Sequence, residues 1–242
     1  MTTIRHEANA GEPRRRRLLG LALGGAGVLA AGVAPPAGAK KEKEVMACED
    51  LMREHGVLRR ALLVYRFAAG RLRADTAAVP ASALLRTAQM FRAFGEDYHE
   101  RKLEEAVIFP AVRKLKGPAA AYPDVLQEQH ERGRKLNDYV IEVCRGSTIN
   151  SASAAPLAQA LQAFELMYEH HAVREDTIVF AAWKESLSDK AYEEWSDRFE
   201  EIEKKTFGHD GFEDAVRQIA AAEAQLGLTD IAQFTMPAAA GK

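Results

Sequence analysis

Only two cysteines, Cys48 and Cys144, occur in 242 residues, too few for a disulfide framework. Proline is scarce too, at 9 residues. Together with the 17 glycines it collects near the start and between periodic stretches, so long segments are free to be helical. Neither sign of charge prevails: 33 Lys and Arg stand against 35 Asp and Glu, for a formal charge of -2. Basic residues are interleaved with acids outside one N-terminal run, which leaves no electrostatic footprint for nucleic acid. A membrane-spanning run is missing as well, because the uncharged stretch Gly20 to Ala39 is diluted by Gly and Ala. What remains is an ordinary globular composition, 47% hydrophobic, long enough to bury one sizeable core.

The N-terminal run is specific in its layout. Arg14-Arg15-Arg16-Arg17-Leu18-Leu19 precedes the uncharged stretch, which ends in Ala37-Gly38-Ala39 before Lys40. A basic region, a moderately apolar region and a small-x-small ending predict an export signal over residues 1–39, followed by a linker over 40–47. Arg15-Arg16-Arg17-Leu18-Leu19 also matches the twin-arginine (Tat) pattern, which implies the Tat export machinery as a partner. The mature chain is therefore expected to be periplasmic or otherwise exported, without stable membrane insertion.

Beyond the linker, apolar residues recur at helical spacing in four long segments. The first is expected over about residues 45–69, with Leu51, His55, Leu58, Leu62 and Tyr65 on one face. The second covers about 81–116 and stops at Gly117-Pro118; the third follows Pro123, carries Val125, Leu126, His130, Leu136, Tyr139 and Val140, and ends at Gly146. Ser147 to Pro156 is small and polar and reads as a loop, and the fourth helix is expected over about 157–187. The pattern predicts an all-α fold, an up-down-up-down four-helix bundle over 48–187 with extra C-terminal helices as a cap over 188–242. Cys48 and Cys144 then fall at opposite ends of the bundle and cannot pair.

Two of these helices repeat an unusual charged motif. Tyr98-His99-Glu100 with Glu104-Glu105 leads to Phe109, and Tyr168-Glu169-His170-His171 with Glu175-Asp176 leads to Phe180. Placing Phe109 on Phe180 puts Glu104 on Glu175, Glu105 on Asp176 and His99 on His170. Buried charge is costly unless paired or metal-bound, and imidazoles with carboxylates suit iron, zinc or manganese. Four imidazoles, His55, His99, His130 and His171, also fall at one depth of a bundle whose helices alternate in direction.

Taken in order, Glu54-His55, His99 with Glu104-Glu105 and Phe109-Pro110, Glu128-Gln129-His130, and His171 with Glu175-Asp176 and Phe180 resemble the hemerythrin-like (HHE cation-binding) family over about residues 48–183. The resemblance implies a non-haem di-iron centre, oxo- or hydroxo-bridged, that binds small molecules such as O2 or NO. It implies His55, His99, His130 and His171 as imidazole ligands and Glu104 and Glu175 as bridging carboxylates. A di-iron oxidoreductase acting on peroxide or nitric oxide would use the same ligands. A ferritin-like site falls behind, since only Glu96-Asp97-Tyr98-His99 has its Glu-x-x-His spacing.

Two departures from the family pattern stand out. His99 and Glu104 are five apart, about 140° around an ideal α-helix, which predicts a π-bulge that widens the turn here; the alternative is that Glu100 or Glu105 takes the role. His170 has the same spacing to Glu175 and is an alternative or companion to His171. The position one turn after His130, a second histidine in oxygen-carrying hemerythrins, is Arg134. Among the remaining residues, Glu105, Asp176 and Glu169 are expected to be solvated or to orient imidazoles. Tyr98 and Tyr168 should pack beside the site, Met52 and Met167 in the core, and His209 in a surface turn. His6 belongs to the export signal.

Overall fold

A computed structural model describes residues 45–237. The expected export signal over residues 1–39 and most of the expected linker lie outside these residues, as does the end of the tail. The described chain forms six long helices joined by short turns. They are α1 (Ala47–Ala74), α2 (residues 81–112), α3 (Tyr122–Cys144), α4 (residues 151–185), α5 (Asp189–Phe207) and α6 (Gly211–Leu226). The first four make the up-down-up-down bundle; α5 and α6 close over it. Among the described residues no helix is long and apolar enough to cross a membrane.

The apolar face of α1 is the one its spacing predicts: Leu51, His55, Leu58, Leu62 and Tyr65 are all buried. Ala61, Ala68 and Ala69 are buried beside them and let α4 pack closely along α1. In the middle of the bundle Tyr65, Phe91, Phe164 and Tyr168 form an edge-to-face and stacked cluster, with ring centroids 4.7–5.3 Å apart, a favourable range for aromatic pairs. Gly133 on α3 makes room for this cluster, because a Cβ there would lie 2.2 Å from the Tyr168 hydroxyl.

The cap is tied to the bundle by side chains from both partners. Arg60 on α1 donates from Nε to Glu223 on α6 at 2.9 Å, and the Ala47 and Cys48 amides donate to Ser196 Oγ and Tyr192 Oη on α5, each at 3.0 Å. Cys48 and Cys144 are free thiols.

Several elements differ from the sequence reading. Helix α1 continues to Ala74, beyond Gly70. Helix α4 starts at Ser151, so more than half of the expected loop is helical: Asn150 Oδ1 accepts the Ala152 N–H at 2.9 Å and starts the helix ahead of Pro156. Met52 and Val125 face solvent, at 46% and 48% exposure, because each lies off the buried stripe of its helix. Met167 is partly buried against the core, as expected.

The deepest departure from regular α geometry lies in α2. Between Ala81–Met90 and Phe109–Val112 the helix runs in π geometry over Phe91–Ile108, a wider turn than the α-helix on either side. This includes the His99–Glu104 interval, where the widened turn was expected. A second π stretch, Glu175–Val179, interrupts α4. The two end alike: the Phe109 N–H donates to the Glu104 carbonyl and the Phe180 N–H to the Glu175 carbonyl.

Candidate metal centre

Each bundle helix contributes one buried imidazole at the same level: His55, His99, His130 and His171, none more than 3% exposed. They meet in two pairs. His55 Nε2 faces His99 Nε2 at 3.0 Å, and His130 Nε2 faces His171 Nε2 at 3.0 Å. Glu104 and Glu175 lie between the pairs, both fully buried. Glu104 places Oε1 3.2 Å from His99 Nε2 and Oε2 3.3 Å from His130 Nε2. Glu175 places Oε2 3.5 Å from His55 Nε2 and Oε1 3.0 Å from His171 Nε2. Each carboxylate thus offers one oxygen to each imidazole pair.

The widened turn of α2 makes this convergence possible. In an α-helix a residue five positions on points away, whereas the i→i+5 turn returns Glu104 to the face of His99. On α4 the π stretch begins only at Glu175, so the α-helical interval of four selects His171. Matching the two motifs by sequence pairs His99 with His170 instead. His170 is exposed and meets Arg174 at 3.1 Å, outside the cluster.

The outward-facing nitrogens are all occupied. His55 Nδ1 meets Asp176 Oδ1 at 2.7 Å, His99 Nδ1 meets Glu54 Oε2 at 2.6 Å, His130 Nδ1 meets Glu105 Oε1 at 2.9 Å and His171 Nδ1 meets Gln129 Oε1 at 2.9 Å. A proton on each Nδ1 donates outward, which leaves the Nε2 lone pairs aimed at the centre, as metal-binding histidines require. The four bonds run around the bundle: α1 leans on α4, α4 on α3, α3 on α2 and α2 on α1. Further groups steady the acceptors. Arg59 donates to Asp176 Oδ2 at 2.6 Å and Tyr98 to Glu54 Oε1 at 3.0 Å, while Arg134 pairs with Glu105.

Glu105 and Asp176 therefore orient imidazoles, whereas Glu169 sits exposed beside Arg66. Glu100 is not between the imidazole pairs; its oxygens accept from Tyr168 at 2.7 Å and from Arg134 at 3.0 Å. His209 is exposed in the turn after α5, as expected. The sequence reading missed Glu54 and Gln129 as imidazole supports. A signal for them existed: each immediately precedes a histidine of the set, as Glu105 and Asp176 immediately follow its carboxylates.

All four carboxylate oxygens of Glu104 and Glu175 are buried without a hydrogen-bond partner. Native proteins seldom leave so many buried acceptors unpaired at one point, and cations are the natural complement. Glu104, His130, His171 and Glu175 form one group with ligand atoms within 4.8 Å of one another, and His55, His99 and Glu104 form another.

Without cations, protons share out the charge. Burial disfavours a charged His99, but Glu104 and Glu54 outweigh it and hold its pKa well above the usual value. Burial also opposes charge on His130, yet Glu100, Glu104 and Glu105 push it up to about 10. His171 goes the other way, to about 3, through burial and the neighbouring His130 charge. Burial would raise Glu104, but His99 and His130 hold it well below the carboxylate range. Glu175 is driven well above that range by burial and by Glu104.

A narrow cavity adjoins the centre, with about 10 Å³ of room for the middle of a water-sized molecule, close to a single water. His55, His99, His171, Glu104 and Glu175 wall it on the centre's side; Leu58, Leu62, Phe91 and Ala172 supply apolar walls, and Glu100, Tyr168 and Arg59 complete it.

A four-helix bundle holding paired His and Glu clusters at its middle is a cation-binding architecture. The chain belongs to the hemerythrin HHE cation binding domain family, whose match covers residues 46–183. It is 40% identical over 233 residues to uncharacterized protein Rv1995 of Mycobacterium tuberculosis, covering 91% of this chain and 90% of the relative. Uncharacterized protein Mb2018 of Mycobacterium bovis is similar to the same extent. No solved structure matches the chain.

Proposed function

We propose that the protein is an exported non-haem di-iron protein that binds O2, NO or related small molecules, or handles iron. The observation that carries this reading is the set of four unpartnered carboxylate oxygens facing four Nε2 atoms deep in the bundle. Three or four nitrogen and oxygen donors reach each of two neighbouring positions, a donor set that suits iron. His55 and His99 would hold one ion, His130 and His171 the other, and Glu104 and Glu175 would join the two. When bound, such a pair supplies open coordination positions and reversible electron transfer to a small ligand.

The chain's own residues shape the rest. The Nδ1 supports fix the imidazoles, and Leu58, Leu62, Phe91 and Ala172 keep the adjoining cavity apolar and small enough for diatomic molecules. On α3, Arg134 stands where oxygen-carrying hemerythrins have a further histidine, and its guanidinium is engaged by Glu100 and Glu105. The count of imidazoles is therefore four, which favours a more open centre than a dedicated carrier uses.

Metal analysis with an optical spectrum of the oxidised protein, taken with and without NO or O2, tests the reading. His130→Ala and Glu175→Ala should each strip metal and lower thermal stability, since binding is linked to folding. Unchanged iron in both variants would defeat it. A second reading, an oxidoreductase acting on peroxide or nitric oxide, is favoured by the Tyr168–Glu100 pair in the cavity wall, and is separated from the first by turnover with an added electron source. Export through the twin-arginine route rests on Arg15, Arg16 and the residues after them. Arg15→Lys with Arg16→Lys should leave unprocessed protein inside the cell.

A further inference from the structure

Eleven of the twelve residues lining the cavity are buried; Arg59 is the one that reaches solvent, with its side chain 39% exposed. The mouth of the cavity therefore lies at Arg59, on α1 one turn beyond His55. Arg59 is not loose there. Its guanidinium donates to Asp176 Oδ2 on α4 at 2.6 Å, and Asp176 Oδ1 holds His55 Nδ1 at 2.7 Å. Behind Arg59 the apolar part of the wall is Leu58, Leu62, Phe91 and Ala172, with Glu100 and Tyr168 beside it.

We propose that Arg59 is a gate, latched to Asp176 across α1 and α4, that controls passage of small molecules of two or three heavy atoms between solvent and the metal centre. A molecule as narrow as the cavity passes when the Arg59–Asp176 bond breaks and the side chain swings outward. Asp176 stays in place through its second oxygen on His55, so the gate opens without dismantling the ligand set. The partial exposure of the Arg59 side chain makes the latch weak. Opening is therefore frequent, but still slower than diffusion through an open mouth.

This inference rests on the functional reading above, and the test separates the two. Full-length wild type, Arg59→Ala, Arg59→Lys and Asp176→Asn are loaded with iron, and the iron per chain is measured. Azide, a linear triatomic probe, is then mixed with each oxidised protein in a stopped-flow spectrometer to give association and dissociation rates. A gate speeds both rates in Arg59→Ala by up to about fivefold, leaves the equilibrium constant within about twofold and keeps iron content at the wild-type level. Arg59→Lys, which keeps a cation opposite Asp176, should fall between the two. Equal rates in wild type and Arg59→Ala would overturn the gate. A changed equilibrium constant or lost iron in Arg59→Ala, matching Asp176→Asn, would overturn it in favour of a support role through Asp176 and His55. Iron missing from the wild type itself would defeat the functional reading, and the gate with it.

Discussion

The half of the centre built by α1 and α2 and the half built by α3 and α4 use the same parts in the same order. Each has two imidazoles facing through Nε2 at 3.0 Å. Each has a phenylalanine stacked on one of them, Phe180 on His55 at 5.4 Å and Phe109 on His130 at 5.5 Å. In each, one histidine leans on an acid that is itself held by an arginine, Asp176 with Arg59 and Glu105 with Arg134. The other histidine distinguishes the halves: His99 leans on the carboxylate of Glu54, His171 on the amide of Gln129. A carboxylate partner raises the basicity of an imidazole ligand and an amide does so far less. The two positions are thus built alike in shape and unlike in electron donation.

The largest effect should come from removing what the halves share. Glu104→Ala takes an oxygen from both positions, so metal should fall well below two ions per chain. The metal-dependent gain in melting temperature should vanish, at about 2–4 °C per kcal/mol for a chain of this size. Metal analysis and calorimetry check this; an unchanged count would mean that the halves do not share Glu104. Next in size is the exchange of the distinguishing residue. Glu54→Gln should weaken the α1/α2 position by about 10- to 100-fold, the usual cost of losing such a partner, while Gln129→Glu should strengthen the other. Competition with a chelator reads both. Equal shifts at both positions would show that the difference between carboxylate and amide is not felt at the metal.

The metal-free protein sharpens the comparison within one half. His130, pushed up to about 10, stabilises the fold fully below the usual imidazole pKa and loses that contribution as pH rises towards 10. His171, lowered to about 3, contributes above the usual value and loses it as pH falls towards 3. These two groups together therefore contribute most near pH 6.5, each proton changing stability by at most about 1.4 kcal/mol per pH unit. His130→Asn should reduce the alkaline loss and His171→Asn the acid loss, measured as unfolding midpoints against pH. Smallest is Tyr168→Phe, which takes a hydrogen bond from Glu100 in the cavity wall. It should cost about 1 kcal/mol and leave metal content unchanged.

Most of this architecture was legible in the sequence where one helix face carries the signal. Leu51, His55, Leu58, Leu62 and Tyr65 announced the buried stripe of α1, and the five-residue interval from His99 to Glu104 announced a widened turn. The full reach of that turn, back to Phe91, was not legible, since π geometry over many residues depends on what the bundle packs against and not on local propensity. His171 was named from the family pattern, but matching the two motifs left His170 beside it, because α4 keeps α geometry up to Arg174 and the matching motif on α2 does not. Ser151 to Pro156 looked like a loop because its small residues and proline outweigh a capping asparagine in any local reading. Met52 and Val125 were misplaced by treating each apolar residue near a stripe as part of it.

The ring of Nδ1 contacts ties the rotation of each helix to that of its neighbour. Twisting one helix by a single residue would pull its own imidazole off the centre and also withdraw the support beneath the next. Release of metal by local fraying is then disfavoured, because no single turn can open alone. Amide exchange at the middle of all four helices should slow together on loading, as one cooperative block.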